Sequence, residues 1–215
     1  MKKFIQESAI LGLIAIPFLY LIYQWEKLPQ QLPIHFDLKG SPNNWVDKQG
    51  FVIFLALLSV GLYILLLAIP KIDPKKSLHL MGAKYDSIRL IIHLFISAFA
   101  CFLIYAGTNE KEHYSAIYFI LLGIFYLVLG NYFQTLKPNY FIGIRTPWTI
   151  DNDEVWKKTH FVSGRIWVIG GLILVLSSFV LTTELLARVF LVVTIFLAFM
   201  PIIYSYFKSK ELGAH

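Results

Sequence analysis

Charge is what this sequence has least of. Only 15% of its 215 residues are Asp, Glu, Lys or Arg, whereas 57% are hydrophobic. A soluble domain is about a quarter charged, so this chain cannot solvate a compact aqueous surface. Mean hydropathy is correspondingly high, +0.65. Cysteine is nearly absent too. Cys101 stands alone, which excludes an intrachain disulfide and a cysteine-based metal site. Solvated disorder is incompatible with 18 Phe, 12 Tyr and 5 Trp. These absences leave an integral membrane protein.

Charge is also missing in blocks. Uncharged stretches cover 8–25, 49–70, 90–109, 113–136, 166–183 and 189–207, each at least 18 residues long. A helix needs about 20 to cross the hydrocarbon core, so the expected fold class is an all-α integral membrane protein with six transmembrane helices. No acidic or basic residue lies in mid-span, which removes the usual relay of an ion-coupled transporter. Met1-Lys2-Lys3 before an apolar run resembles a secretory signal. The run is long and ends in Tyr20, Tyr23 and Trp25, so the first helix is expected to be retained. Pro17 is expected to kink it, and Gly170-Gly171 to permit close helix approach. His93 and Asn131 are the polar groups expected to line a path or join helices.

Basic residues predict the orientation. Fourteen fall at the N-terminus, in loops two and four, and in the tail; five (Lys27, Lys39, Lys48, Lys111 and Arg188) fall on the other face. That asymmetry predicts a bacterial cell-membrane protein with both termini cytoplasmic. The formal net charge of +6 therefore specifies topology, and no direct nucleic-acid binding is expected.

Two connections are long, an external loop one at about 26–48 and a cytoplasmic loop four at about 137–163. Each follows the first helix of a three-helix set. Both carry Pro-x-x-Phe-x-x-x-x-x-Pro, at Pro33, Phe36 and Pro42 and at Pro138, Phe141 and Pro147. A 3+3 inverted repeat of the helices is therefore a possible architecture. The chain divides into an N-terminal two-helix unit, 1–70, and a four-helix region, 71–215.

Loop one is expected to fold back as a cap, with Pro29 and Pro33 favouring extended backbone around Leu32-Pro33-Ile34-His35-Phe36 and a turn at 40–44. Phe36 and Trp45 would sit in the interface or over helix ends. His35 and Asp37 alternate with Phe36, so a strand would put them on one face. They are either a metal or acid–base pair, with His113 the other external imidazole, or hydrogen-bonding members of a surface cap. Zinc usually takes three or four ligands, and no nucleophile stands beside a base. No cofactor is expected.

Loop four contains the candidate turn Gly143-Ile144-Arg145-Thr146-Pro147-Trp148-Thr149. Asp151, Asn152 or Asp153 would cap an interfacial helix with Glu154 in its first turn. That helix would point Val155, Trp156 and Thr159 at the membrane and Lys157 and Lys158 at headgroups. Arg145 would pair with an acid such as Glu154, or bind a phosphate or carboxylate.

The stretch Gly130-Asn131, then Asn139-x-x-x-Gly143-x-Arg145-Thr146-Pro147-Trp148-Thr149, then Trp156-x-x-Thr159-His160 and Gly164 resembles the SdpI family of bacterial membrane immunity proteins. Loop one, through Pro33, His35, Phe36, Gly40, Trp45 and Lys48, is similar to the domain of unknown function found upstream in such proteins. The resemblance implies protection against a secreted membrane-active peptide toxin. It also implies a cytoplasmic partner, a transcriptional repressor held at the membrane by the toxin-bound protein. Two alternatives remain open from the residues. One is a membrane enzyme acting on lipid or peptide through His35 and Asp37 or through Arg145 and His160; the other is a small transporter.

Overall fold

The first span opens with two lysines and the last closes with two, and both pairs lie within helices. The computed structural model describes residues 2–37, 42–74, 76–109 and 115–213. Its order is α1 (Lys2–Gln24), a 3-10 turn (Trp25–Lys27), β1 (Gln31–Phe36), β2 (Pro42–Asp47) and α2 (Lys48–Ala56). A π-turn (Leu57–Gly61) joins α2 to α3 (Leu62–Ile72). Then come α4 (Ser77–Met81), α5 (Ala83–Thr108), α6 (Ser115–Phe133), α7 (Pro147–Asp151), α8 (Asp153–Ser177) and α9 (Thr183–Glu211). Six helices, Lys3–Lys27, Lys48–Ile72, Ala83–Thr108, Ala116–Phe133, Asp153–Ser177 and Thr183–Glu211, are long and apolar enough to cross a membrane. Side chains such as Leu57, Leu94, Leu176 and Val192 stay exposed on them, the surface that lipid covers.

Three expectations change. The fold is not purely helical, because loop one contains an antiparallel hairpin pairing Gln31 with Asp47 and Pro33 with Trp45. The Pro-spaced segment was legible as extended; its partner strand was not. Spans three and five begin earlier than their uncharged cores, at Ala83 and Asp153. Consequently loop four ends at Asn152, and the expected interfacial helix is the first part of α8. Val155, Trp156 and Thr159 turn into the bundle, not towards lipid. Pro17 lies inside α1, the helix it was expected to kink.

The tightest packing is between α6 and α8. A Cβ on Gly164 would lie 2.6 Å from the Gly130 carbonyl oxygen, and one on Gly171 would lie 2.5 Å from that of Gly123. The two pairs are seven residues apart on each helix, so two antiparallel backbones touch twice across two turns. Gly170 faces the other way, where a Cβ would meet Leu197 of α9 at 3.0 Å. In the N-terminal half the main partner of α1 is α5, whereas in the C-terminal half that of α6 is α8. Span one thus packs chiefly on span three, but span four packs on span five, so the pairing is not repeated between halves.

Among the described residues, one apolar cluster at the hairpin end joins Leu28, Leu32, Phe36, Phe51 and Leu103. Another at the opposite end joins Leu66, Tyr85, Ile88, Phe133, Leu136 and Trp156. That opposite end carries most of the described lysines and arginines and is called the basic end below.

Candidate functional site

At the hairpin end, Leu32 and Phe36 point inwards and seat the hairpin on the helices. Leu32 packs on Gly107 of α5, where even a Cβ would come within 3.2 Å. The Phe36 ring lies 5.8 Å from both Phe102 and Tyr118. His35 donates from Nδ1 to the Asn43 side-chain oxygen at 2.5 Å, a bond across the two strands. Lys48 Nζ donates to the Trp25 carbonyl at 3.1 Å and lies 5.4 Å from the centre of its ring. Asp47 caps α2 by accepting from Gly50 N–H at 2.7 Å. Trp45 is exposed. A cleft of about 360 Å³ opens beside the hairpin, with a polar rim of His35, Asp37 and Asn43 and walls of Tyr118, Phe119 and Phe190. No group of three His, Cys, Asp or Glu suited to a metal occurs among the described residues. Gly40 and His113 lie outside the described residues.

At the basic end the motif residues are consumed by their own loop. Asn139 is fully buried. Its Nδ2 donates to the carbonyls of Lys137 at 2.8 Å and Ile142 at 2.9 Å. Its Oδ1 accepts from Phe141 N–H at 2.8 Å and Ile142 N–H at 2.7 Å. Four bonds exhaust the amide and fix the turn. Gly143 follows with φ +112°, and a Cβ there would run into the His160 ring. His160 stacks on Trp156 with ring centres 4.1 Å apart. Its Nδ1 donates to the Trp156 carbonyl at 2.9 Å while Nε2 accepts from Ile144 N–H at 3.0 Å. One donor and one acceptor specify the neutral Nδ1–H tautomer. Trp156 Nε1 donates to the Leu136 carbonyl at 2.8 Å, closing the loop's other end.

Thr146 and Thr149 form a capping box at the start of α7, with Pro147 in its first turn. Thr146 also shares a 3.1 Å hydroxyl bond with Ser205, which ties α7 to α9. Trp148 packs edge-on against Tyr206 of α9 at 5.2 Å. Asn152 caps α8, accepting from Glu154 N–H and Val155 N–H at 2.9 and 3.0 Å. Gly164 makes the backbone contact already described. Arg145 is exposed, and its Nη1 donates to the Tyr140 carbonyl at 2.6 Å; the expected pair with Glu154 does not form. Arg145 and His160, the inner residues of the enzyme alternative, are separated by burial, the imidazole inside and the guanidinium outside. Asn131 is exposed at the end of α6.

A third cluster was missed by the sequence reading, which left Glu7 and Arg89 outside the spans. Arg89 donates to both Glu7 oxygens, Nη1 to Oε1 at 2.6 Å and Nη2 to Oε2 at 3.0 Å. Tyr63 OH donates to the same carboxylate at 3.0 Å. Asp86 approaches Arg89 at 3.4 Å. His93 does not join helices as expected: its Nδ1 donates to the Arg89 carbonyl of its own helix at 2.6 Å. The usable signal was the spacing of Asp86, Arg89, His93 and Ser97, which puts all four on one face of a continuous helix.

Residues 135–205 match the SdpI/YfhL protein family, and residues 12–60 match a domain of unknown function, DUF1648. Over 203 residues the chain is 27% identical to the immunity protein SdpI of Bacillus subtilis (strain 168), covering 94% of each protein. No solved structure matches it. The family match spans the loop-four lock and the two helices it fastens, and the DUF1648 match spans the hairpin and most of its flanking helices. The chain is therefore similar to SdpI/YfhL-family proteins over residues 135–205, behind a segment, 12–60, that is similar to DUF1648.

Proposed function

We propose that this protein protects a bacterium against a secreted membrane-active peptide toxin. The observation that carries the proposal is its similarity, along 94% of both chains, to a protein named for immunity. The positive-inside rule supports a cytoplasmic basic end with both termini inside, leaving the hairpin outside. On that orientation the toxin meets the cleft formed by His35, Asp37, Asn43 and the aromatic walls. A polar rim over an aromatic floor suits a peptide with both apolar and hydrogen-bonding groups. A division near residue 70 is compatible with the two matched segments, 12–60 and 135–205, which lie on either side of it.

A cytoplasmic regulatory partner, if recruited, would meet the exposed Arg145, Lys157 and Lys158, since the buried motif residues present no surface. The catalytic alternative finds little support at this end, because both His160 nitrogens are already bonded. The transporter alternative rested on the inverted repeat, and the unlike helix pairing of the two halves gives it no help.

The test is survival of a toxin-sensitive strain expressing the protein. Wild type should raise survival, and His35→Ala with Asp37→Asn should lower it without reducing the amount inserted. Unchanged survival across several related peptides, with the protein correctly inserted, would overturn the proposal.

A further inference from the structure

Asn131 is the motif residue that the loop-four lock leaves over. It lies in the last turn of α6 and is exposed. Lys84, in the first turn of α5, lines the same groove of about 380 Å³, together with Ala83, Ser87, Tyr132 and Thr135. The groove follows the seam between the N-terminal and C-terminal halves. Ser87 donates to the Ala83 carbonyl at 2.9 Å and Thr135 to the Tyr132 carbonyl at 2.8 Å. The Lys84 ammonium and the Asn131 amide have no partner among the described residues.

We propose that this groove holds the phosphate headgroup of an anionic phospholipid. Its lining has one cation, an amide donor and the Tyr132 hydroxyl, and no carboxylate, the Ser87 and Thr135 protons being committed to carbonyls. Asp86, on the same helix as Lys84, is turned to Arg89. The other large cavity at this end has three cations, Lys3, Lys71 and Arg89, but Glu7 and Asp86 line it too and Arg89 is already held by Glu7. Depth agrees with charge. Lys84 and Asn131 are at helix ends, where headgroups lie, and apolar surface continues below them. Leu94, seven residues from Ser87, is 55% exposed, and Ile124, seven residues from Asn131, is 47% exposed. Seven residues are two helical turns, so acyl chains run down the same faces whose ends hold the phosphate. Basic pockets between membrane helices recognise anionic headgroups by this combination.

Native mass spectrometry of the full-length protein, released from micelles with phosphatidylglycerol or phosphatidylcholine, tests the assignment. Phosphatidylglycerol should remain bound at energies that strip phosphatidylcholine. Lys84→Gln should weaken its retention by about tenfold, the worth of one charge-assisted bond, and Asn131→Ala should weaken it further. Lys84→Arg should preserve retention, which separates loss of charge from loss of fold. Arg145→Gln removes a cation at the same end but outside the groove and should change nothing. Equal retention of the two lipids, an equal loss in Arg145→Gln, or displacement by inorganic phosphate alone would overturn the proposal.

Discussion

Arg89 holds Glu7 with two parallel hydrogen bonds at 2.6 and 3.0 Å, fastening the third span to the first. The guanidinium side chain is 3% exposed and the carboxylate 24%. Removing one partner leaves the other charge uncompensated within the bundle, at a cost of about 3 kcal/mol. Arg89→Gln should therefore lower the melting temperature in detergent. Glu7→Gln combined with Arg89→Gln should recover part of the loss. If the double variant is as unstable as the sum of the singles, the two residues do not act as a pair.

The α6–α8 contact makes a contrasting prediction about glycine. Gly164→Ala places a methyl 2.6 Å from a backbone oxygen and should cost about 1–3 kcal/mol, since neither helix can yield locally. Gly12→Ala has nothing within 4 Å and should be neutral or stabilising by up to about 1 kcal/mol. Thermal scans of the two variants side by side test this.

In loop four, Asn139→Asp retains both acceptor bonds but loses both donor bonds. It should destabilise the loop by about 2 kcal/mol or more. Gly143→Ala should do at least as much, because a left-handed φ and the His160 ring both exclude a side chain. Limited proteolysis between 137 and 152 reports the opening directly. Intact loops in both variants would refute the lock.

The hairpin should separate stability from recognition. Phe36→Ala removes a buried ring and should cost about 3–5 kcal/mol. His35→Ala breaks an exposed bond and should cost less than about 1 kcal/mol. If His35 serves the cleft, His35→Ala lowers toxin survival at unchanged melting temperature; a matching fall in both measurements makes it a purely structural residue.

Orientation is open to labelling in a Cys101→Ser background. Trp45→Cys should react with an impermeant maleimide on intact cells, and Arg145→Cys only after permeabilisation. The opposite pattern would invert the proposed topology.

The six spans were legible because a bilayer demands long uncharged runs, a strong signal that survives errors of several residues. Their ends were not. Arg89 bounds an uncharged run but does not end the helix, because Glu7, 82 positions earlier in sequence, neutralises it across the bundle. Linear charge counting cannot register such a partner. The motif of loop four was also visible, from Asn139 to His160, but its chemistry was misjudged. Arg145 attracted attention for its charge and turned out exposed, while Asn139 carries four bonds that hold the turn. His35 and Asp37 line one cleft, yet the residue bonded to His35 is Asn43, whose strand could be matched only once the hairpin register was known.

The π-turn at Leu57–Gly61 has a consequence for aim. Such a turn holds one residue more than an α-helix would need. Every side chain from Leu62 onward is thus offset by about 100° from a regular continuation of α2. Tyr63 is the second residue past the turn, and it reaches the Glu7 carboxylate with that offset in place. Deleting one residue from 57–61 would shorten the span by a single step and swing the phenol off its target. The lost Tyr63–Glu7 bond would register as a drop in melting temperature. The surplus residue in the second span acts as a rotation built into the sequence, directing a hydroxyl at an ion pair made by two other helices.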